Sequence, residues 1–309
     1  MMQTLHDIGV AIVDGVIAAM MVLVNLLPDT LSEPFQYAFM QRALLTALVV
    51  GGMCGLLSSY VILKRWSLLG DAISHAVLPG VAIAYLLNLP FFLGALVTGA
   101  LTSLGIGVIE RNTRIKSDAA MGLMFTAAFA LGIVIISQIA TSTHLMHILF
   151  GNVLGVRYPA LMLTLVVGVI AVSAVLLFYK ELMLYVFDPV QARSLGLNTA
   201  VLHYGLILLL TVTIVASLET VGIILVVAML ITPGATAYLL VNSLPWMMAL
   251  ATGIGMLSAV IGLSLSVRLD VASGGAIVLV VTSFFLVAFL FAPQHGVVLR
   301  WLRRRAMPA

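Results

Sequence analysis

Nine stretches of this chain are apolar enough and long enough to cross a bilayer, and only short polar segments separate them. They fall at about 37–63, 67–88, 91–109, 117–140, 159–178, 199–218, 220–240, 245–268 and 272–292. A hydrocarbon core ~30 Å thick takes about 20 apolar residues per helix. Inside it every backbone N–H and C=O must find a partner within the segment, so runs of this length are helices. The sequence therefore predicts an all-α, polytopic membrane protein. Composition agrees: 63% of the 309 residues are hydrophobic and 8% are charged, whereas a soluble domain carries about a quarter charged residues.

A further apolar stretch, 5–27, holds Asp7, Asp14 and Asn25 on one narrow helical stripe. It is either a tenth span with a polar seam or an interfacial helix, although interfacial helices usually carry basic residues and this one has none. The expected organisation is an N-terminal apolar or amphipathic segment over 1–34, a membrane domain over 35–292 and a basic tail over 293–309. The first basic residue is Arg42, so the N-terminus does not read as a cleaved signal peptide.

Alternating the nine spans sorts the basic residues. Lys64, Arg65, Arg111, Arg114, Lys116, Lys180, Arg193, Arg300, Arg303, Arg304 and Arg305 fall on one side, and Arg42, Arg157 and Arg268 on the other. The positive-inside rule makes the first side cytoplasmic. This explains the pI of about 9.2 and the net charge of +3 without nucleic acid. The tail Arg-Trp-Leu-Arg-Arg-Arg reads as a topology anchor beside anionic lipid.

Against this background Asp71 and His75 stand out, within Leu69-Gly-Asp-Ala-Ile-Ser-His-Ala-Val-Leu-Pro-Gly. At i, i+4 they share one helix face. An ionisable pair at membrane depth is costly and usually faces a polar pathway or an ion. Carboxylate oxygen and imidazole nitrogen suit Mn²⁺, Fe²⁺ and Zn²⁺, and the imidazole must be neutral to ligate, so affinity falls as pH drops. The competing reading makes Asp71 a cap on free amides at the helix start, with His75 bonded to it. His144 and His147, at i, i+3 on the extracytoplasmic side, are weaker metal candidates. Cys54 is the only cysteine, which excludes an internal disulfide and a thiolate cage.

Three other patterns matter. Pro79-Gly-Val-Ala-Ile-Ala-Tyr-Leu-Leu is echoed by Pro233-Gly-Ala-Thr-Ala-Tyr-Leu-Leu in a helix running the opposite way, as in inverted repeats around a transport site. Small residues recur every four positions at Ala95, Gly99, Ser103 and Gly107, and at Ser258, Gly262 and Ser266, which predicts close helix packing. In the cytoplasmic connection after the fifth span, Asp188 can cap a helix, Pro189 suits its first position and Gly196 its end. The resulting helix of about two turns needs a partner surface to persist. The chain has no Gly-x-x-x-x-Gly-Lys-Ser/Thr phosphate loop, His-Glu-x-x-His motif or nucleophile elbow.

Gln41-Arg-Ala-Leu-Leu, the Asp71–His75 motif, Leu149-Phe-Gly-Asn and Phe187-Asp-Pro through Leu195-Gly together resemble the permease subunits of ATP-binding-cassette importers for manganese, zinc and iron, over about 35–291. The resemblance implies a multi-pass protein of the bacterial cytoplasmic (inner) membrane that forms the path for Mn²⁺, Zn²⁺ or Fe²⁺ and holds no permanent cofactor. It implies as partners two cytoplasmic ATP-binding subunits, an extracytoplasmic metal-binding protein and a second permease chain, the same or similar. It implies that Asp71 and His75 are metal residues of the translocation path. It also implies that Phe187, Asp188, Pro189, Gln191, Ala192, Leu195 and Gly196 belong to the ATPase-coupling helix, with ATP hydrolysed in another chain. Two alternatives remain at this stage. One is a proton-coupled secondary metal transporter with Asp71 and His75 as a relay. The other is an intramembrane metalloenzyme, which needs a third ligand. Neither uses the capped helix.

Overall fold

A computed structural model of the chain describes residues 2–25, 33–138, 153–292 and 296–297. His144, His147, the 149–152 motif and the arginine-rich tail lie outside the described residues. The described residues form helices α1 (Met2–Val24), α2 (Ala38–Leu63), α3 (Leu69–Ala76), α4 (Leu78–Leu86), α5 (Phe91–Asn112), α6 (Ser117–Ser137), α7 (Tyr158–Leu177), α8 (Tyr179–Phe187), α9 (Pro189–Ser194), α10 (Thr199–Val221), α11 (Ile223–Leu240), α12 (Leu244–Leu269) and α13 (Ser273–Phe291), with no strand among them. Nine spans result, α3 and α4 together making the second. Each falls on a stretch expected from hydropathy.

The bundle is organised around α2, the most buried span. It packs against α7, α11 and α12. Lipid tails are as apolar as leucine, so close backbone approach replaces the hydrophobic drive between helices. A Cβ on Gly55 would lie 2.6 Å from the Ala251 carbonyl oxygen, and one on Gly51 2.7 Å from that of Gly255. The two small-residue stripes pack in the same way, inside the subunit. Gly99 faces Thr211 and Val215 of α10, Gly107 faces Tyr204 and His203, and Gly262 lies against Ile277 of α13.

The Pro-Gly echo has a packing cause in both helices. A Cβ on Gly234 would meet the Ser58 carbonyl of α2 at 2.6 Å, and one on Gly80 would strike the Gly94 carbonyl of α5. The helices respond differently: α11 runs through Pro233, whereas the second span breaks at Val77. Pro79 has no amide proton for the His75 carbonyl four residues back, so the ladder is interrupted just beyond the pair. Gly222, the single residue between α10 and α11, turns the chain with φ +82°, a conformation glycine adopts without strain.

Two local results go beyond the sequence reading. Residues 179–187, read as part of a connecting loop, form α8, whose Leu182 and Tyr185 are buried at i, i+3. At the N-terminus, α1 lays Val13, Ile17, Met20 and Val24 into the core and contacts α2 and α7. Its Asp14 accepts a 3.2 Å hydrogen bond from the Tyr158 hydroxyl at the start of α7, beneath the Arg42 guanidinium, 5.0 Å from the Tyr158 ring. Gly55→Val should lower stability by about 1–3 kcal/mol, the usual range for overpacking. Thermal unfolding in detergent measures this, and an unchanged midpoint would contradict the packing described for α2 and α12.

Candidate functional site

Helix α3 begins directly after the turn that follows α2. It buries Leu69, Gly70, Ala72, Ile73, Ser74 and Ala76, and leaves Asp71 and His75 on its accessible side. The helix start carries no side-chain cap, and Asp71 does not bond the free amides. The capping role is therefore set aside. Instead, Asp71 Oδ1 lies 3.5 Å from His75 Nε2, with the Asp71 side chain 50% exposed and that of His75 32% exposed. Neither side chain is enclosed by the bundle.

The imidazole has a defined setting. Phe125 and Phe129 of α6 meet its ring edge-to-face, each at 5.5 Å between centroids, and stack on each other at 5.7 Å. Such contacts depend on orientation and fix the ring plane. They give the pair an apolar wall on one side, while the carboxylate stays half exposed. Among the described residues, no group of three or more His, Cys, Asp or Glu side chains gathers to hold an ion. Two donors on one copy are too few to enclose an ion by themselves.

The short helix α9 forms as its residues dictate. The Asp188 carboxylate accepts from the amides of Val190 and Gln191 at 3.0 and 2.9 Å, with Pro189 in the first turn. At the other end Leu197 N–H reaches the Ala192 carbonyl and Gly196 N–H that of Arg193, both at 3.0 Å, with Gly196 at φ +84°. This is the paired closure that a left-handed glycine permits. Ala192 is fully buried and seats the helix on the protein. Phe187, Val190 and Leu195 point outward, 61%, 72% and 67% exposed. Beside Phe187 a cleft of about 260 Å³ opens between Leu63, Tyr238, Val241, Asn242, Ser243, Leu244 and Met247. The short helix and its two flanks thus present three outward apolar side chains next to an open cleft.

Of the other polar residues, Glu219 and Asp118 are exposed. Glu110 is drawn inward and accepts from the Ser117 hydroxyl at 2.8 Å. His203, which has no evident partner in the sequence, is buried and bonded to Tyr185. Sequence reasoning misses this contact because the partner lies in α8, a segment expected to be loop.

Comparison with known proteins finds relatives over most of the chain. The model of the ABC 3 transport family matches residues 36–292. The manganese transport system membrane protein MntC of Listeria monocytogenes is 54% identical over 261 residues, covering 84% of this chain and 93% of that protein. The chelated iron transport system membrane protein YfeD of Yersinia pestis is 47% identical over 267 residues, covering 86% and 90%. The solved structure of PsaBC from Streptococcus pneumoniae in complex with Fab superposes with a TM-score of 0.77 at 42% identity, covering 90% of this chain and 99% of that one.

The cap predicts a local effect. Removing an N-cap carboxylate costs about 1 kcal/mol, so Asp188→Ala should speed hydrogen exchange at the Val190 and Gln191 amides roughly fivefold. Unchanged exchange there would show that the cap does not hold α9.

Proposed function

This chain belongs to the ABC 3 transport family, and from that membership we propose that it is the membrane-spanning subunit of an ATP-driven importer of divalent metal. It is a multi-pass transport component of the bacterial cytoplasmic membrane. The observation that carries the metal reading is the Asp71–His75 pair, two donors left accessible on a helix otherwise buried in the bundle. Manganese and iron are the favoured cargo, because the relatives are named as manganese and iron systems and oxygen plus imidazole donors suit both ions. Zinc suits the same donors, but none of these relatives is named for it.

Energy enters from another chain. This sequence has no phosphate loop, and α9 offers the outward apolar surface on which a cytoplasmic ATP-binding subunit would dock. A second permease chain, the same or similar, would face this one and supply the other half of the coordination shell. An extracytoplasmic binding protein would deliver the ion, with His144 and His147 as further candidate contacts on that side. We take residues 35–292 as the permease unit, 1–34 as an accessory segment and 293–309 as a cytoplasmic tail. In this scheme ATP-driven closure of the motor pair moves α9, and the two permeases rock around the metal path. The family and the relatives lend no support to a proton-coupled carrier.

Asp71→Ala and His75→Ala should each reduce radioactive manganese uptake at least as far as loss of an outer-shell partner typically does, ~10–100-fold. Co-purification of the ATPase should be unaffected. Normal uptake by both variants would overturn the site assignment.

A further inference from the structure

Behind the docking helix, a buried cluster links its base to the helix that carries Asp71 and His75. Tyr185 lies on α8 one turn before Asp188, almost fully buried, and its hydroxyl shares a 2.8 Å hydrogen bond with His203 Nδ1 on α10. The His203 ring meets Trp66 edge-to-face, 5.5 Å between centroids at 71°. Trp66 has no exposed surface and sits in the turn joining α2 to α3. Its carbonyl accepts the Leu69 amide at 2.9 Å, in the first turn of α3 and two residues before Asp71.

The turn itself is held under strain. Trp66 N–H bonds the Val61 carbonyl at 2.9 Å and Arg65 N–H that of Ile62 at 3.1 Å, which closes α2 as a glycine would. The residue in the left-handed position is Arg65, with φ +58°, a conformation that an L side chain resists. Such strain persists where surrounding structure over-determines it, and here Trp66 is locked in place beside it. On the same turn the Lys64 ammonium lies 3.9 Å from the centroid of the Tyr185 ring. Burial pushes the Lys64 pKa down and the nearby Glu110 charge opposes that shift. Burial, then Glu110, push Tyr185 up, with Arg111 opposing, so its phenol stays neutral.

We infer that Tyr185 and His203 are positioning residues that transmit movement of the 188–196 helix through Trp66 to the helix bearing Asp71 and His75. This rests on the reading of 188–196 as the ATPase-docking segment. The argument is geometric: the contacts run unbroken from α8 to α3 within about a turn of each functional segment. Among the described residues, His203 Nε2 and Trp66 Nε1 have no hydrogen-bond partner. The Tyr185 hydroxyl therefore fixes the imidazole orientation. Edge-to-face contacts respond to ring rotation, so a shift of α8 reaches Trp66 as a change in the His203 ring plane. Gly107 leaves the ring its space, since a Cβ there would lie 3.2 Å from Nε2.

The test uses the assembled transporter with its ATPase in proteoliposomes, and reads manganese moved per ATP hydrolysed. Tyr185→Phe keeps the ring beneath Lys64 and removes only the hydroxyl. It should lower that ratio about two- to tenfold, the range a lost hydrogen bond corresponds to, with ATPase co-purification and basal hydrolysis unchanged. His203→Leu should do the same. His203→Asn, which keeps a polar atom where Nδ1 stands, should restore coupling toward the wild-type ratio. Wild-type coupling in both Tyr185→Phe and His203→Leu overturns the inference, as does loss of the ATPase from either variant or failure of His203→Asn to restore coupling. Replacing 188–196 by a Gly-Ser linker tests the underlying reading separately. Retained ATPase binding and normal coupling there would overturn the docking assignment itself, whatever the Tyr185 and His203 variants do.

Discussion

In hydrocarbon, helices gain little by hiding apolar side chains from lipid, so association depends on how closely two backbones approach. Here that constraint falls on α2. Gly51 and Gly55 admit α12, and Ser58 lies against Gly234 of α11. Because α2 is fixed on both sides, the turn at its C-terminal end is fixed too, and α3 starts from that turn. The position of Asp71 and His75 thus follows from the glycine seams of a neighbouring helix as well as from their own local sequence.

The pair shows how a membrane protein can hold polar chemistry without enclosing it. His75 is held by the rings of Phe125 and Phe129, which orient it without using its nitrogens. Asp71 stays half open and makes no capping bonds. A fully satisfied buried ion pair would be rigid and reluctant to exchange ligands. Two donors at 3.5 Å, partly exposed, are not locked into such a pair.

Much of this was legible in the sequence, for physical reasons. Lipid imposes length and apolarity on every span, so the nine spans could be read from runs alone. Asp188, Pro189 and Gly196 specified α9 through local backbone rules, which need no tertiary knowledge. Other features depend on the partner surface and were hidden. Residues 179–187 are a helix because Leu182 and Tyr185 find a buried face, whereas in the sequence they lie beyond the fifth apolar span. The Phe125–Phe129 wall lies fifty residues from His75 and carries no motif. The cluster around His203 joins residues from α8, α10 and the α2–α3 turn, and no local pattern signals such a junction.

The central claim is that metal passes the Asp71–His75 pair. Anomalous X-ray diffraction at the manganese edge, from crystals of the assembled transporter equilibrated with Mn²⁺, tests it most directly. The account predicts an anomalous peak within coordination distance of Asp71 Oδ1 and His75 Nε2. An ordered manganese peak elsewhere along the bundle, with both side chains uncoordinated, would contradict it.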